Sequence, residues 1–492
     1  MDKNKIGLEQ LTNGNTSKKL KQNPFLSGNW SPLNNVTTRD GISCTLHSGT
    51  VPRDILGSFV RVGPNPSPTQ LPTLNTSSFH FFEGDGLICS LQFQQGLQTC
   101  RTRFIETNRF KTGKDEYINA DGTTERSGSG NTALVYHAGK LLSLEEGSKP
   151  WHVSLPSLDT IGRHDFNATL SHNFTAHPKV CPVTNELIFF GYQFGSETMR
   201  YTLANPIGDI DLATNSIEIP FRKPVGAPTP HDLAITTNSS IMLDFPLWNM
   251  NGSTKIQDGS LFGVVPRHAT KHTPVKWFRT EGQFGYHVAN AFETKDNVLQ
   301  LYVCTGLNFD FRTSNKRTML LREWKLNLNQ GGTQETATVV PGKVLCNIPC
   351  EFPVIDERRT GMKFTYIWAS RLSQGRHSAP LACNGIVRYN VETEQTFTVG
   401  LPIGMHGGEC RFVSMRNEDG TRGKEGEGYL ILFSHDEEMK SYCLIYNAMF
   451  QKENEAPLAV IECNTRVPNG FHAVWVDEEE YVGGDIRTMA KL

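Results

Sequence analysis

Short apolar or alternating runs, each bounded by Gly, Pro, Asn or Asp, recur along almost the whole chain, and helix-like spacing of apolar positions is scarce. The clearest case is the stretch Thr229 to Leu247. Leu233 and Ile235, then Ile241, Leu243 and Phe245, alternate with their neighbours on either side of Thr237-Asn-Ser-Ser, which predicts two short strands joined tightly. Ala133 to Leu144 predicts a second pair, turning at His137-Ala-Gly-Lys, and Phe79 to Phe93 a hairpin around Glu83-Gly-Asp-Gly. Asn23 to Pro32 and Leu56 to Pro66 read as strand entries punctuated by turns. Further strands are expected at 187–194, 261–266, 298–305, 319–326, 364–372, 386–398, 429–434, 442–446 and 458–463. A dozen or more short strands at even spacing with no helix between them predict an all-β chain. Closed radial repetition is one of few ways to protect so many edges. A β-propeller of six to eight blades is therefore the expected architecture, ahead of a large sandwich or two tandem barrels.

Composition narrows the picture. At 492 residues the chain is too long for an ordinary single domain, which suits a large closed architecture, and 44 Gly with 26 Pro supply its turns. A net charge of -2 and a pI near 6.7 give no electrostatic case for nucleic acid. Eleven cysteines, an odd count without any Cys-x-x-Cys pair, read as free thiols in a reducing, cytoplasmic compartment. No run approaches the ~18 apolar residues of a membrane span. Residues 1–22, polar and Lys-rich, are expected to be a disordered tail ahead of a single domain over 23–492.

Histidine is where chemistry enters. Of fifteen, four share one setting, with an aromatic or small apolar partner, a nearby turn residue, and a strand beginning or ending at the His. These are His177, His231, His287 and His472. The first two gaps between them are each about one blade long and the third several times that, so each can come from a different blade and all four can meet on the axis. Imidazole suits Fe, Zn, Cu and Ni alike, and separate, satisfied histidines are the competing account. Three glutamates stand in strand-like apolar surroundings where a lone charge is costly: Glu146, Glu351 and Glu409. A metal-bound His usually donates its second ring N–H to such a carboxylate.

The set Arg61-Val-Gly-Pro-Asn-Pro, Phe82-Glu-Gly-Asp-Gly-Leu, Thr175-Ala-His-Pro, Pro230-His-Asp-Leu-Ala-Ile-Thr, His287-Val-Ala-Asn-Ala-Phe-Glu, Glu351-Phe-Pro and Pro468-Asn-Gly-Phe-His-Ala-Val-Trp-Val resembles the carotenoid cleavage oxygenase family in order and spacing, from about residue 23 to 476. The resemblance implies a seven-bladed β-propeller with a helical and loop cap. It implies non-haem Fe(II) on the axis, and cleavage of a conjugated double bond by O2 into two carbonyls. His177, His231, His287 and His472 would then be the iron ligands, and Glu146, Glu351 and Glu409 the partners of three of them. Thr132, fourteen residues before Glu146, matches a position whose side chain crowds an open iron site in some members.

The same resemblance bears on the substrate. Stilbene-cleaving members carry a lysine immediately before the first of these glutamates and a tyrosine on an earlier strand. Here those positions are Glu145 and, by a looser alignment, Phe110, neither of which can ionise a phenol in the same way. A carotenoid or apocarotenoid is expected ahead of a stilbene. A lipophilic polyene also implies an apolar tunnel and makes peripheral membrane contact useful, and no protein partner is implied. From other classes, a metal-free scaffold would need none of the histidines to converge. A zinc hydrolase would keep a nearby general base, and no His-Glu-x-x-His helix is present.

Overall fold

Many strands of this protein are buried on both faces, and that decides how they pack. In the computed structural model, Leu233–Ile235 and Ser239–Asp244 pair as a hairpin, and every residue in both strands is buried. Leu233, Ile235 and Met242 face one apolar cluster, whereas Ala234, Ile241 and Leu243 face another. Alternation along these strands therefore separates two cores, because the sheet lies between neighbours on both sides.

The model describes residues 23–193, 196–211, 216–221, 230–245, 259–306, 319–330, 337–373 and 381–482; the polar tail expected over 1–22 lies outside them, as do Thr229 and Leu247. Among the described residues the chain forms sheets in succession, antiparallel except where Ala337–Thr338 pairs parallel to Lys276–Thr280. The first joins Gly57–Asn65, Asp85–Gln94, Leu97–Phe104 and Ile42–Ser43 to Ala473–Asp477 from the far end of the chain. The second runs Ala133–His137, Lys140–Leu144, Trp151–Val153, Thr160–Arg163, and the third Lys179–Val180, Leu187–Gly191, Thr198–Ala204, Ser216–Pro220. The fourth starts at Leu233–Ile235 and the fifth at Phe284–Glu293. A ten-stranded sheet spans Cys350–Val354 to Ala459–Glu462 and ends on Thr45–Gly49. A two-stranded ribbon, Tyr117–Ile118 with Thr124–Glu125, lies outside this series.

Several expectations shift. Asn23 to Pro32 forms two 3-10 turns, Pro24–Leu26 and Gly28–Trp30, because Phe25, Leu26 and Trp30 turn inward together against Phe79, Phe81 and Phe471. The same cluster accounts for Phe79 to Phe93, which is no hairpin: Phe81–Glu83 is a 3-10 turn, and Asp85–Gln94 pairs with Gly57–Asn65 and Leu97–Phe104 instead. The run 386–398 is two strands, Cys383–Asn390 and Thr396–Gly400, around a turn. Among the described residues the aromatic cluster of Phe25, Trp30, Phe81 and Phe471 is carried by loops and 3-10 turns. Among the described residues the α-helices are the two five-residue segments Asn108–Thr112 and Glu478–Val482.

Between the second and third sheets Phe166, Phe174 and Phe189 stack, with ring centroids of Phe174 and Phe189 at 4.2 Å. Two histidines flank the stack: His164 at 4.4 Å from Phe166, and His172 at 5.9 Å from Phe189. Burial pushes both imidazoles down to about 4, Lys140 adding to it for His164 and the Asn173 carbonyl opposing it for His172. Between that value and the ordinary one near 6.5 the unfolded chain binds more protons than the folded one, so stability falls as pH drops through this window. The melting temperature is expected to fall between pH 7 and pH 5, and by less in His164→Phe, measured by thermal denaturation at both pH values; an equal fall in both proteins would contradict this account.

Candidate metal centre

Each histidine sits at the edge strand of a different sheet. His177 lies just ahead of Lys179–Val180, His231 ahead of Leu233–Ile235, and His472 ahead of Ala473–Asp477, while His287 lies inside Phe284–Glu293. These edge strands touch in succession: Lys179–Val180 meets Leu233–Ile235, which meets Phe284–Glu293, which meets Cys350–Val354. Local irregularities aim the side chains inward. Pairing of Phe284–Glu293 with Val298–Gly306 slips between Gly285 and Val288 and again between Val288 and Asn290, so His287 stands in a bulge. Glu351 stands at another, and Phe352 beside it holds a φ of 55°, a left-handed conformation rare for a bulky residue. At His472 the approach is by close backbone packing: a Cβ on Gly63 would come within 2.3 Å of the Gly470 Cα.

One ligand nitrogen from each of His177, His231, His287 and His472 lies within 4.8 Å of the others. Three rings are held from behind. Glu146 Oε1 stands 2.6 Å from His231 Nδ1, Glu351 Oε2 2.5 Å from His287 Nδ1, and Glu409 Oε1 3.2 Å from His472 Nδ1. Two of these carboxylates also take a backbone N–H, Glu351 from Phe352 and Glu409 from Ala473. With Nδ1 donating to a carboxylate, Nε2 is left as the free lone pair. His177 is placed differently: its backbone N–H donates to Thr175 Oγ1 at 3.1 Å.

The electrostatics favour neutral imidazoles at His177 and His287. Burial, then the neighbouring histidines, hold His177 and His287 well below the ordinary histidine value. Burial alone would raise Glu146 and Glu409, but the His231 and His472 imidazoles bring both below the usual carboxylate range. Burial dominates at Glu351 and lifts it to about 8.

These residues fit a metal ion. His177 Nε2 is buried without a hydrogen-bond partner, and His231 Nε2 lies 3.3 Å from His287 Nε2 although each backs onto a carboxylate through Nδ1. Two lone pairs this close repel each other, and a cation coordinated by both relieves the repulsion. Four imidazoles make a donor set suited to a divalent transition metal. A cavity of about 390 Å³ reaches His177, His287 and His472 and is lined also by Lys179, Asp232 and Arg358.

A family model described as retinal pigment epithelial membrane protein matches residues 30–477. The chain is 31% identical to the carotenoid 9,10(9',10')-cleavage dioxygenase 1 of Pisum sativum, over 93% of this chain and 90% of that protein. The chain belongs to the carotenoid cleavage oxygenase family. It is an oxidoreductase of that family, and similar also to resveratrol cleavage oxygenase 1 of Chaetomium globosum, at 26% identity over 94% of this chain and 90% of that protein. In fold it is similar to the lignostilbene dioxygenase of Pseudomonas brassicacearum, with a TM-score of 0.78 at 24% identity, covering 93% of this chain and 99% of that one.

The remaining residues singled out in the oxygenase fall as follows. Thr132 is buried, its hydroxyl donating to Asn131 Oδ1 at 2.9 Å, and Asn131 in turn donates to the Phe82 and Gly84 carbonyls. Glu145 accepts from the Ser129 N–H at 2.9 Å and pairs with Arg126 at 3.5 Å. Phe110 is on the short helix Asn108–Thr112 and not on a strand; its ring stacks on Phe104 at 5.4 Å, because the Thr107 cap turns the chain there. Asp232 and Lys179, paired at 2.7 Å, received no role from sequence. Asp232, a lone charge at the head of the apolar run Leu233-Ala-Ile, was the available signal.

In Glu409→Gln the amide can keep only one acceptor for two donors, the His472 ring and the Ala473 N–H. Metal affinity is expected to fall roughly 10–100-fold, with a similar fall in Glu146→Gln. Competition with a chromogenic chelator measures it, and wild-type affinity in both variants would remove the carboxylates from the metal's support.

Proposed function

We propose that the oxygenase cleaves a conjugated C=C bond of a carotenoid or apocarotenoid with O2 to give two carbonyl products, at Fe(II) held by His177, His231, His287 and His472. The observation that carries this reading is the convergence of four imidazole nitrogens within 4.8 Å, in a chain whose family is established over residues 30–477. Zinc would serve the same donors, but a hydrolase needs a placed general base, and the carboxylates beside the site are engaged by histidines. Bound iron would supply oxygen activation.

The chain's own contribution is positional. Glu146, Glu351 and Glu409 fix three rings, and Glu146 and Glu409, held below the usual carboxylate range, would balance the charge that four neutral ligands leave on a divalent ion. Burial keeps His177 and His287 deprotonated and able to bind. Tyr286, 4.7 Å from the His231 ring, and Phe352, 5.3 Å from His287, wall the centre with aromatic surface. Thr132, buried beside Asn131, would crowd access to the bound metal, as the family resemblance implies.

The architecture we propose is a seven-bladed propeller forming one catalytic domain over 23–492. The ten-stranded sheet narrows to the two-residue strand His406–Gly407, and parting it there leaves a four-stranded part that begins at Cys350–Val354 and a five-stranded part that ends on Thr45–Gly49. Seven apolar clusters, each drawing on two consecutive sheets, support the same count. They include one between Val413, Ile431 and Phe433 of the later half and Phe59 and Leu91 of the first sheet.

A stilbene substrate is the second reading, favoured by the likeness to the Chaetomium globosum protein. Glu145, already engaged by Ser129 and Arg126, speaks against it, since it offers an acidic group where a phenolate would need a cation. The eleven free cysteines support a reducing, cytoplasmic setting. A lipophilic substrate suits peripheral contact with a membrane surface, and among the described residues no helix is long and apolar enough to cross one.

The test is iron content of the purified protein together with O2-dependent bleaching of a β-apocarotenal, with resveratrol alongside. Iron near one per chain and loss of polyene absorbance, both abolished in His231→Ala, are expected. Cleavage of resveratrol alone would overturn the substrate reading. Absence of iron and of turnover would overturn the whole.

A further inference from the structure

Three of the four histidines have a carboxylate behind the ring, and His177 is held by its backbone. What fixes His177 relative to the others is visible one residue away. Asp232, 2% exposed, follows His231 directly. Its Oδ1 accepts from the Leu233 N–H at 2.7 Å and stands 2.7 Å from Lys179 Nζ, and its Oδ2 accepts from the Val288 N–H at 2.8 Å. Lys179 lies two residues after His177, and Val288 follows His287. One buried carboxylate therefore ties together the segments that carry three ligands, on the edge strands of three sheets. Val288 lies between the two register slips around His287, where its N–H points to Asp232. A parallel bridge between His177 and Asp232 adds a backbone link at the same level.

We infer that Asp232 and Lys179 are a positioning pair that sets the spacing of His177, His231 and His287 for the metal. This rests on the metal centre proposed above. A carboxylate this deep needs a countercharge, and Lys179 supplies it, so the three anchors stand or fall together. Because each anchor is one or two residues from a histidine in extended backbone, movement of the carboxylate passes to the rings with little slack. Sub-ångström changes in ligand spacing weaken coordination. Neither side chain touches the metal position; the pair acts through the histidines.

The experiment is Co(II) titration of the metal-free full chain, read by affinity and by the visible ligand-field spectrum, with melting temperature measured in parallel. Lys179→Met is expected to weaken Co(II) binding about tenfold or more and to change the spectrum, and Lys179→Arg to restore both. Asp232→Glu keeps the ion pair but pushes the carboxylate out by one methylene, so that it no longer serves Leu233 and Val288 together; it is expected to weaken binding several-fold and is the gentler probe should Lys179→Met not fold. Arg163→Met breaks the pair with Glu125, in which the arginine side chain is 3% exposed, outside the site. It is expected to lower the melting temperature with Co(II) affinity unchanged. Wild-type affinity and spectrum in Lys179→Met or Asp232→Glu would overturn the inference, as would an equal loss in Arg163→Met. Failure of the wild-type protein to bind Co(II) would overturn the metal centre itself.

Discussion

Four imidazoles with ligand atoms within 4.8 Å of one another make a site that is unfavourable on its own terms. Ring nitrogens crowd together, and protonation of His177 and His287 is opposed by burial and by the neighbouring histidines. Such a cluster persists only where surrounding structure holds it and a cation is to be bound. Much of the local backbone answers to that constraint. The slips around His287, the left-handed Phe352 beside Glu351, and the close approach of Gly63 to Gly470 ahead of His472 all occur within three residues of a ligand or its carboxylate.

Most pairing elsewhere in the fold is regular, with isolated slips such as those at Arg371/Leu372 and His152/Val153. Outward from the centre, consecutive strands are antiparallel neighbours in register, and their alternate residues feed the two apolar layers on either side. That division supplies rigidity at no cost to the site, since the layers hold no ligand. It also explains the aromatic cap. Phe25, Trp30, Phe79, Phe81 and Phe471 form a cluster whose last member precedes His472, so the cap and the centre share one chain segment.

Charge is handled by pairing at every depth. Glu146 and Glu409 remain below the usual carboxylate range because histidines face them, whereas Glu351, more dominated by burial, is lifted to about 8. Asp232 is met by Lys179 and two backbone N–H groups. The acidic groups nearest the four histidines thus touch the imidazoles, so that a divalent ion held there would be balanced by carboxylates acting through its ligands.

Much of this was legible in the residues themselves. Period-two runs between turn residues announced an all-β chain, as at Ala133 to Leu144, because the strand period belongs to local backbone geometry. The four histidines stood out by a shared setting, and family motifs joined them to Glu146, Glu351 and Glu409. Where apolar residues served a cap and not a sheet, at Phe25 and Phe81, the pattern misled, since burial in a loop cluster and burial in a strand look alike in one dimension. Tertiary structure alone decided which sheets are neighbours, that the last strand joins the first sheet, and that Asp232 reaches Val288. Those contacts bridge long separations in sequence and depend on bulges, which turn on a single residue's register and leave no periodic trace.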